Sequence, residues 1–132
     1  MEFMSTGINT SPTITGPSGV AGDIRGKAVK FDASGKVVLA NKAGEIAIGI
    51  ALISEPSAVK EGDDINIQIK EIGLAQVGAA VKKGDELAVD TEGKLQKATD
   101  NQFVLATALE AADKKDAFIR VQIVKYAKGT IA

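Results

Sequence analysis

The sequence contains no cysteine, no histidine and no tryptophan. Without cysteine the chain can form no disulfide, thiolate nucleophile, thiolate zinc site or iron–sulfur cluster. Without histidine it lacks the most common general base and metal ligand, which excludes the Ser-His-Asp type of triad. Catalysis would have to rest on carboxylates, lysine, tyrosine or hydroxyls alone. We therefore predict no enzyme, no catalytic residue, no cofactor and no metal site.

Aromatic residues are also scarce, and neither sign of charge is in clear excess. Aromatics make up 4% of the chain, and 16 basic residues face 17 acidic ones, for a net charge of −1. Stacking on single-stranded nucleic acid needs aromatic side chains, and gripping a duplex or an anionic membrane needs a basic excess. The longest apolar run, Ile46–Ile53, has the length of a strand and not of a membrane helix. We predict neither nucleic acid nor membrane as a partner.

The first 22 residues differ in composition from the rest of a chain whose 132 residues suffice for one domain. They are rich in Gly, Ser, Thr and Pro, and Glu2 carries their only charge. Pro12 and Pro17 favour extended backbone in the residues before them. We predict a flexible N-terminal arm over residues 1–22 and a single β domain over residues 23–132. Within the arm, the β-forming residues 13–15 can pair as a strand where an edge is offered.

The β domain is indicated by period-two alternation of apolar residues between turn sequences. Ile65, Ile67 and Ile69 alternate with polar residues, as in a strand buried on one face. The same order of turns and strands then occurs a second time, which divides the chain into two repeat halves of about 23–70 and 78–125. The superposition pairs Gly26 with Gly84, Asp32 with Asp90, Gly35 with Gly93, Lys36 with Lys94, Ala40 with Ala98, Ala51 with Ala108, Leu52 with Leu109, and Ile65, Ile67 and Ile69 with Ile119, Val121 and Ile123.

These patterns predict an all-β fold. The expected architecture is a small β-barrel or sandwich with an internal two-fold sequence repeat, plus the extended N-terminal arm. A closed or nearly closed arrangement of strands also removes exposed sheet edges.

Two sets of polar residues have both a chemical and a structural interpretation. Asp32 and Asp90 could ligate a hard cation, but no calcium-loop spacing is present, and aspartate in such turns commonly caps nearby backbone N–H groups. Lys94 follows the second turn, and residues 81–87 look like the approach strand of a lipoyl or biotinyl carrier domain. A carrier domain modified at Lys94 is therefore the alternative prediction. A third interpretation is a β-barrel module of a larger enzyme, with the arm as a linker.

The strand predicted over residues 118–126 is apolar on both faces. Ile119, Val121 and Ile123 share one face, while Phe118, Val124 and Tyr126 fall on the other. A strand buried on one face would not need the second set. We predict that Phe118, Val124 and Tyr126 form a subunit contact.

A set of short sequences across residues 22–125 carries a family resemblance. These are Gly22-Asp-Ile, Gly35-Lys-Val-Val-Leu-Ala40, Ile48-Gly-Ile-Ala-Leu52, Gly62-Asp-x-Ile-x-Ile67, Val81-x-x-Gly-Asp-x-Leu87 and Gly93-Lys94. In this order they resemble the capsid decoration, or head cement, proteins of tailed phages. The resemblance implies a mostly-β protein that forms homotrimers on the outer capsid surface, as the lambda head decoration protein does, with an N-terminal arm engaging the shell.

The resemblance also implies partners and a location. It implies that the chain binds the major capsid protein and stabilises the shell without performing chemistry. It is expected to be made in the host cytoplasm and to reside on the outer surface of the virion. Within the arm, we assign capsid binding to Ile8, Thr13, Ile14 and Thr15.

Overall fold

The computed structural model describes residues 11–129, and every regular element within that range is a β-strand. The first sheet is built from β1 (Thr13–Pro17), β2 (Ala28–Phe31), β3 (Val37–Leu39), β4 (Gly49–Ala51) and β5 (Asp64–Gln68). The second sheet is built from β6 (Glu71–Gln76), β7 (Glu86–Val89), β8 (Leu95–Lys97), β9 (Gln102–Ala108) and β10 (Phe118–Lys128). All pairings within the two sheets are antiparallel, and the prediction of an all-β fold is confirmed.

The two sheets have the same strand order. The first runs β1-β5-β4-β2-β3 and the second β6-β10-β9-β7-β8, so each strand of the first sheet has a counterpart five strands later. The residues superposed in the sequence also make matching hydrogen bonds. The Gly26 N–H donates to the Ala51 carbonyl at 2.9 Å, and the Gly84 N–H donates to the Ala108 carbonyl at 2.8 Å. This correspondence supports the predicted repeat. It also includes β1 and β6, which lie one strand further toward the N-terminus of each half than the sequence superposition reached.

Each sheet curls until its two outermost strands approach one another. Ser18, just after β1, forms a single parallel bridge with Val37 of β3, and Val77, just after β6, forms one with Leu95 of β8. One bridge is not a ladder, so neither sheet closes into a complete barrel. The architecture is therefore the sandwich form of the prediction, with two five-stranded sheets packed together.

The core joins the two halves. One buried cluster belongs to the first sheet and includes Ile65 and Ile67, while the larger cluster combines second-half residues with Ala28, Ala47 and Ile50 of the first half. Backbone hydrogen bonds also cross between the halves, as the following pairs show: Ala28 N–H to Gly93 carbonyl at 2.6 Å, Gly44 N–H to Val89 carbonyl at 2.9 Å, and Gln76 N–H to Gly26 carbonyl at 2.8 Å. Shared apolar contacts and main-chain bonds hold the halves in one body.

Part of the predicted arm is a strand of the first sheet. Residues 13–17 pair with β5 from Thr13 opposite Gln68 to Pro17 opposite Asp64, and Ser18 is fully buried. The boundary predicted at residue 22 is therefore wrong for residues 13–22. The physical reason is that β5 offers an unpaired edge, which the β-forming residues 13–15 occupy within the chain itself. Ile8 lies outside the described residues.

Candidate docking surface

Lys94, the residue of the carrier alternative, is held at the base of its hairpin. Its Nζ lies 2.6 Å from Asp116 Oδ1 and 3.6 Å from Glu92 Oε1, and its side chain is only 17% exposed. The hydrogen bond to Asp116 raises the pKa of Lys94 above its ordinary value. A carrier lysine must be displayed at an accessible tip, so this geometry does not favour attachment of a lipoyl or biotinyl group.

The turn aspartates act as caps. Asp90 Oδ1 accepts hydrogen bonds from the N–H groups of Glu92 at 2.7 Å and Lys94 at 3.0 Å. Asp32 Oδ1 accepts the matching bonds from Ser34 and Lys36. A carboxylate used in this way satisfies the turn backbone. Over residues 11–129, no three acidic side chains gather into a group that could hold a metal ion, and no helix is long and apolar enough to cross a membrane.

The three residues predicted as a subunit contact are all exposed but do not form one patch. Phe118 and Tyr126 stand at opposite ends of β10, roughly 25 Å apart at the usual rise of a strand. A register shift with one extra residue separates Ile123 from Tyr126, and Lys125 within it has a φ of 51°. The prediction that Phe118, Val124 and Tyr126 share one face assumed regular alternation along the strand, and the bulge interrupts that alternation. The contact role of these residues stays a prediction.

Tyr126 belongs to a polar group on the second sheet. Its hydroxyl donates to Glu86 Oε2, and Lys128 Nζ donates to Glu86 Oε1 at 2.6 Å. The hydrogen bond from Lys128, followed by that from Tyr126, holds the pKa of Glu86 below its ordinary value. Tyr126 therefore joins β10 to β7 through a hydrogen bond to a charged group.

Phe118 packs at the junction of the two halves. A Cβ atom placed on Gly26 would lie 2.6 Å from Phe118 Cε2, so the ring covers the backbone of a turn in the first half. Gly26 has a φ of 72°, which a side chain would also strain. Phe118 is nevertheless 48% exposed, and its outer edge borders a depression shared with Arg25 and Ile53.

Beside Phe118 lies an open groove of about 420 Å³ between the two sheets. It is lined by Ile50, Leu52, Ile53, Ser54, Gln68, Ile72, Gly73, Leu74 and Arg120. Most of these side chains are apolar, and Ile72 is 57% exposed. The sequence analysis did not single out Ile53, Ile72 or Leu74. A superposition of the halves that began with β6 on β1 would have drawn attention to two of them. It pairs Ile72 with Thr13 and Leu74 with Thr15, so that an apolar residue stands where the first half has a polar one.

The edge of β1 that faces away from β5 has few N–H groups left to donate to another strand. The Ile69 N–H donates to the Pro12 carbonyl at 2.8 Å. Because hydrogen bonding alternates along an antiparallel strand, residues 13, 15 and 17 face away from β5 with their backbone groups. The Thr13 N–H donates to Ser11 Oγ at 3.2 Å, and Pro17 has no N–H. The outer edge of β1 is thus poorly suited to pairing with another chain. The capsid-binding role of Thr13, Ile14 and Thr15 stays a prediction.

Comparison with known proteins identifies the family. The model of the phage cement proteins matches residues 53–123, which is more than half of the chain. The chain belongs to the phage cement protein family. It is therefore a structural protein of the phage head, as the resemblance in the sequence implied, and the prediction of a non-enzymatic protein agrees with this membership. No curated protein sequence matches the chain.

A solved structure shares the fold of this cement-family chain. It is the N base of the head fiber gp8.5 of bacteriophage phi29, with a TM-score of 0.69. The sequences are 16% identical, and the superposition covers 91% of this chain and 97% of the other. At that identity the likeness concerns the fold alone. It shows that both five-stranded halves recur together in another phage head structure.

Proposed function

We propose that this cement-family protein binds the outer surface of a tailed-phage head, contacts the major capsid protein and stabilises the shell. We further propose that it acts as a homo-oligomer, expected to be a trimer, and resides on the virion. The observation that carries the proposal is the family match over residues 53–123, which spans the second sheet almost entirely.

The interior of the protein supports an adhesive role. No buried side-chain nitrogen or oxygen among the described residues lacks a hydrogen-bond partner. A site that binds a small polar ligand commonly directs unpaired polar groups into a cavity, whereas the groove lined by Ile53 and Ile72 is mostly apolar and open. An apolar surface feature on an otherwise satisfied fold is typical of a protein that binds macromolecules.

Stabilisation of a shell does not require a tight single contact. When two contacts are tethered in one particle, the combined affinity can exceed either alone by about 10²–10⁴-fold. An oligomer that touches several capsid subunits gains this advantage and also resists their separation. Modest contacts repeated across the lattice can therefore add up to the firm attachment that the proposed stabilisation requires.

The segment before β1 is the second element to which we assign a contact. We propose that the arm is shorter than the sequence predicted, ends before Thr13 and contacts the shell with residues that include Ile8. Ordering a chain segment costs roughly 1–2 kcal/mol per residue in backbone entropy, which contacts with the shell must offset.

The direct test is co-sedimentation of the purified protein with phage heads that lack it. The protein should pellet with the heads in a saturable ratio, and heads already decorated should take up none. Treated heads should also retain their DNA to a higher temperature, as measured by the access of an intercalating dye. No co-sedimentation with mature heads would refute surface binding, and binding without a change in DNA release would refute stabilisation.

A further inference from the structure

The main chain of β6 is unpaired along the edge that faces away from β10. β6 is the outermost strand of its sheet, and the Gln76 N–H donates to the Gly26 carbonyl, outside the β6–β10 pair. Because this direction alternates along an antiparallel strand, Ile72 and Leu74 also point their N–H and C=O groups outward. In the part of the chain that the structure describes, only the Ile72 carbonyl among these four groups has a partner, the side-chain amide of Gln68.

The unpaired groups border the apolar groove between the two sheets. Gly73 is among the residues that line this groove, and because it has no side chain, the groove reaches the main chain of β6. The opposite wall is formed by Leu52 and Ile53 of the first half. Apolar walls beside free main-chain donors and acceptors fit an extended segment, which pairs with the edge and places alternate side chains against the walls.

The first sheet shows how this fold protects such an edge. β1 has the place of β6 in the strand order, and its outward positions include Pro17, which has no N–H, and Thr13, whose N–H donates to Ser11. β6 contains neither proline nor lysine, the residues that commonly block an edge strand. An apolar edge without this protection is expected to be covered when the protein is in place.

The free edge suits a single extended segment and not the sheet edge of a second copy. It extends only from Ile72 to Leu74, because the Gln76 N–H is already bonded and Glu71 begins the strand with a φ of 72°, which is not extended. An edge strand that pairs with itself in a second copy also gives a two-fold contact, which does not build the trimer of the proposed function. A single segment that enters the groove meets neither restriction.

The charge of the groove indicates the chemistry of this segment. The one charged residue that lines the groove is Arg120, whose Nε lies 3.2 Å from Glu110 Oε1. A charged segment would lose its hydration in the groove without gaining a free partner. Apolar side chains are favourably buried there. The complementary segment is therefore uncharged and carries apolar side chains at alternate positions.

We propose that the β6 edge receives an extended, uncharged segment of the major capsid protein, which pairs with Ile72 and Leu74 and adds a strand to the second sheet. The proposal rests on the proposed function and assigns the contact with the shell to named main-chain groups. Membership of the cement family supports the phage head as the source of the segment. A pairing of so few residues is weak alone, and its repetition in every copy supplies the avidity that attachment requires.

The test removes one outward N–H and keeps the hydrogen bonds between β6 and β10. In Leu74→Pro the ring replaces an N–H that does not bond β10, and edge strands tolerate proline. Leu74→Ala shortens the same side chain but keeps the N–H. Thr15→Pro is the matched control, because Thr15 has the corresponding place in β1 and also points its N–H outward. Thermal melting checks folding, and co-sedimentation with heads that lack the protein measures binding.

Leu74→Pro should bind heads about tenfold more weakly than the wild type or worse, because an acceptor of the capsid segment loses its donor. Leu74→Ala should lose less, and Thr15→Pro should bind like the wild type. Equal binding by Leu74→Pro and the wild type would overturn the proposal and leave the proposed function intact. If the wild type itself does not sediment with heads, both fail.

Hydrogen exchange of the Leu74 amide is the second measurement, and it decides the question even where Leu74→Pro does not fold. The amide should exchange quickly in the free protein and slowly on heads, and fast exchange on heads would overturn the proposal. Slow exchange in the free protein that becomes fast after deletion of residues 1–10 would assign the edge to the N-terminal segment instead. A lower oligomer mass of Leu74→Pro in light scattering, with head binding unchanged, would assign it to a second copy. Either assignment overturns the proposal.

Discussion

The side-chain amide of Gln68 donates a hydrogen bond of 2.6 Å to the main-chain carbonyl of Ile72, and a second of 2.9 Å to the carbonyl of Lys70. These bonds fix the short connection between β5 and β6, the point where the chain passes from the first sheet to the second. Glu71 in this connection has a φ of 72°, which is costly for a residue with a side chain. Gln68 thus holds a strained link in place.

We expect Gln68→Ala to lower the free energy of unfolding by about 1–3 kcal/mol, because two carbonyls lose their donor in a partly buried site. Gln122 is the matched control, since it occupies the same place in the second sheet but is exposed. Gln122→Ala should change the stability by less than about 0.5 kcal/mol. Urea unfolding measures both, and equal losses would show that the amide of Gln68 has no special role.

The all-β fold and the turns could be predicted from the sequence because they depend on local signals. Asp32 and Asp90 cap their turns as predicted, and the alternation of Ile65 and Ile67 matches their burial in β5. The strand around Ile50 was harder to predict. The small residues Ala47 and Gly49 are buried where the halves and neighbouring strands approach closely, whereas the side chain of Ile46 is exposed. Which face of such a strand is buried depends on tertiary packing.

The groove and the exposed side chains near it could be predicted only in part, for two physical reasons. The bulge before Tyr126 adds one residue to β10, and a single added residue changes which side chains share a face. The groove brings Ile53 to Ile72, and this juxtaposition arises from the packing of one half on the other, which periodicity within a strand does not report. The exposure of Phe118 could be predicted because it lies before the bulge, where local alternation holds, while its role as a contact stays a prediction.

The second hairpin turn provides a test of capping. In Asp90→Ala the N–H groups of Glu92 and Lys94 lose their acceptor, so we expect a loss of about 1 kcal/mol in the free energy of unfolding. Asp90→Asn keeps an oxygen in the position of Oδ1 and should cost less than about 0.5 kcal/mol. Chemical denaturation measures both. If the two variants lost the same stability, the charge of Asp90 and not its acceptor would be responsible.

The Asp23–Arg25 pair predicts a pH dependence. The hydrogen bond from Arg25, with its charge, lowers the pKa of Asp23 from 3.8 to about 2. Because the folded-state pKa lies below the unfolded one, the pair stabilises the fold above about pH 4 and this contribution disappears as the pH falls toward 2. Solvent screening keeps the effect small, since both side chains are exposed.

In Arg25→Gln the carboxyl of Asp23 should titrate near its ordinary pKa, as measured by NMR. The difference in stability between this variant and the wild type should be present at pH 6, shrink as the pH falls below about 4 and vanish below pH 2. Lys83→Gln removes the same charge from an exposed loop position and should leave the pKa of Asp23 unchanged. A pKa of Asp23 that stays low in Arg25→Gln would mean that other groups depress it.

Two N-terminal deletions should differ sharply in their effect on stability. Removing residues 1–10 leaves β1 complete, so we expect the melting temperature to change by less than about 2 °C. Removing residues 1–20 deletes β1 and leaves the edge of β5 unpaired, with Ile65 and Ile67 losing their cover, so the melting temperature should fall by about 10 °C or more. Circular dichroism melts of both proteins provide the measurement. If the longer deletion melted like the full chain, β1 would be an accessory strand, and the arm boundary at residue 22 would be restored.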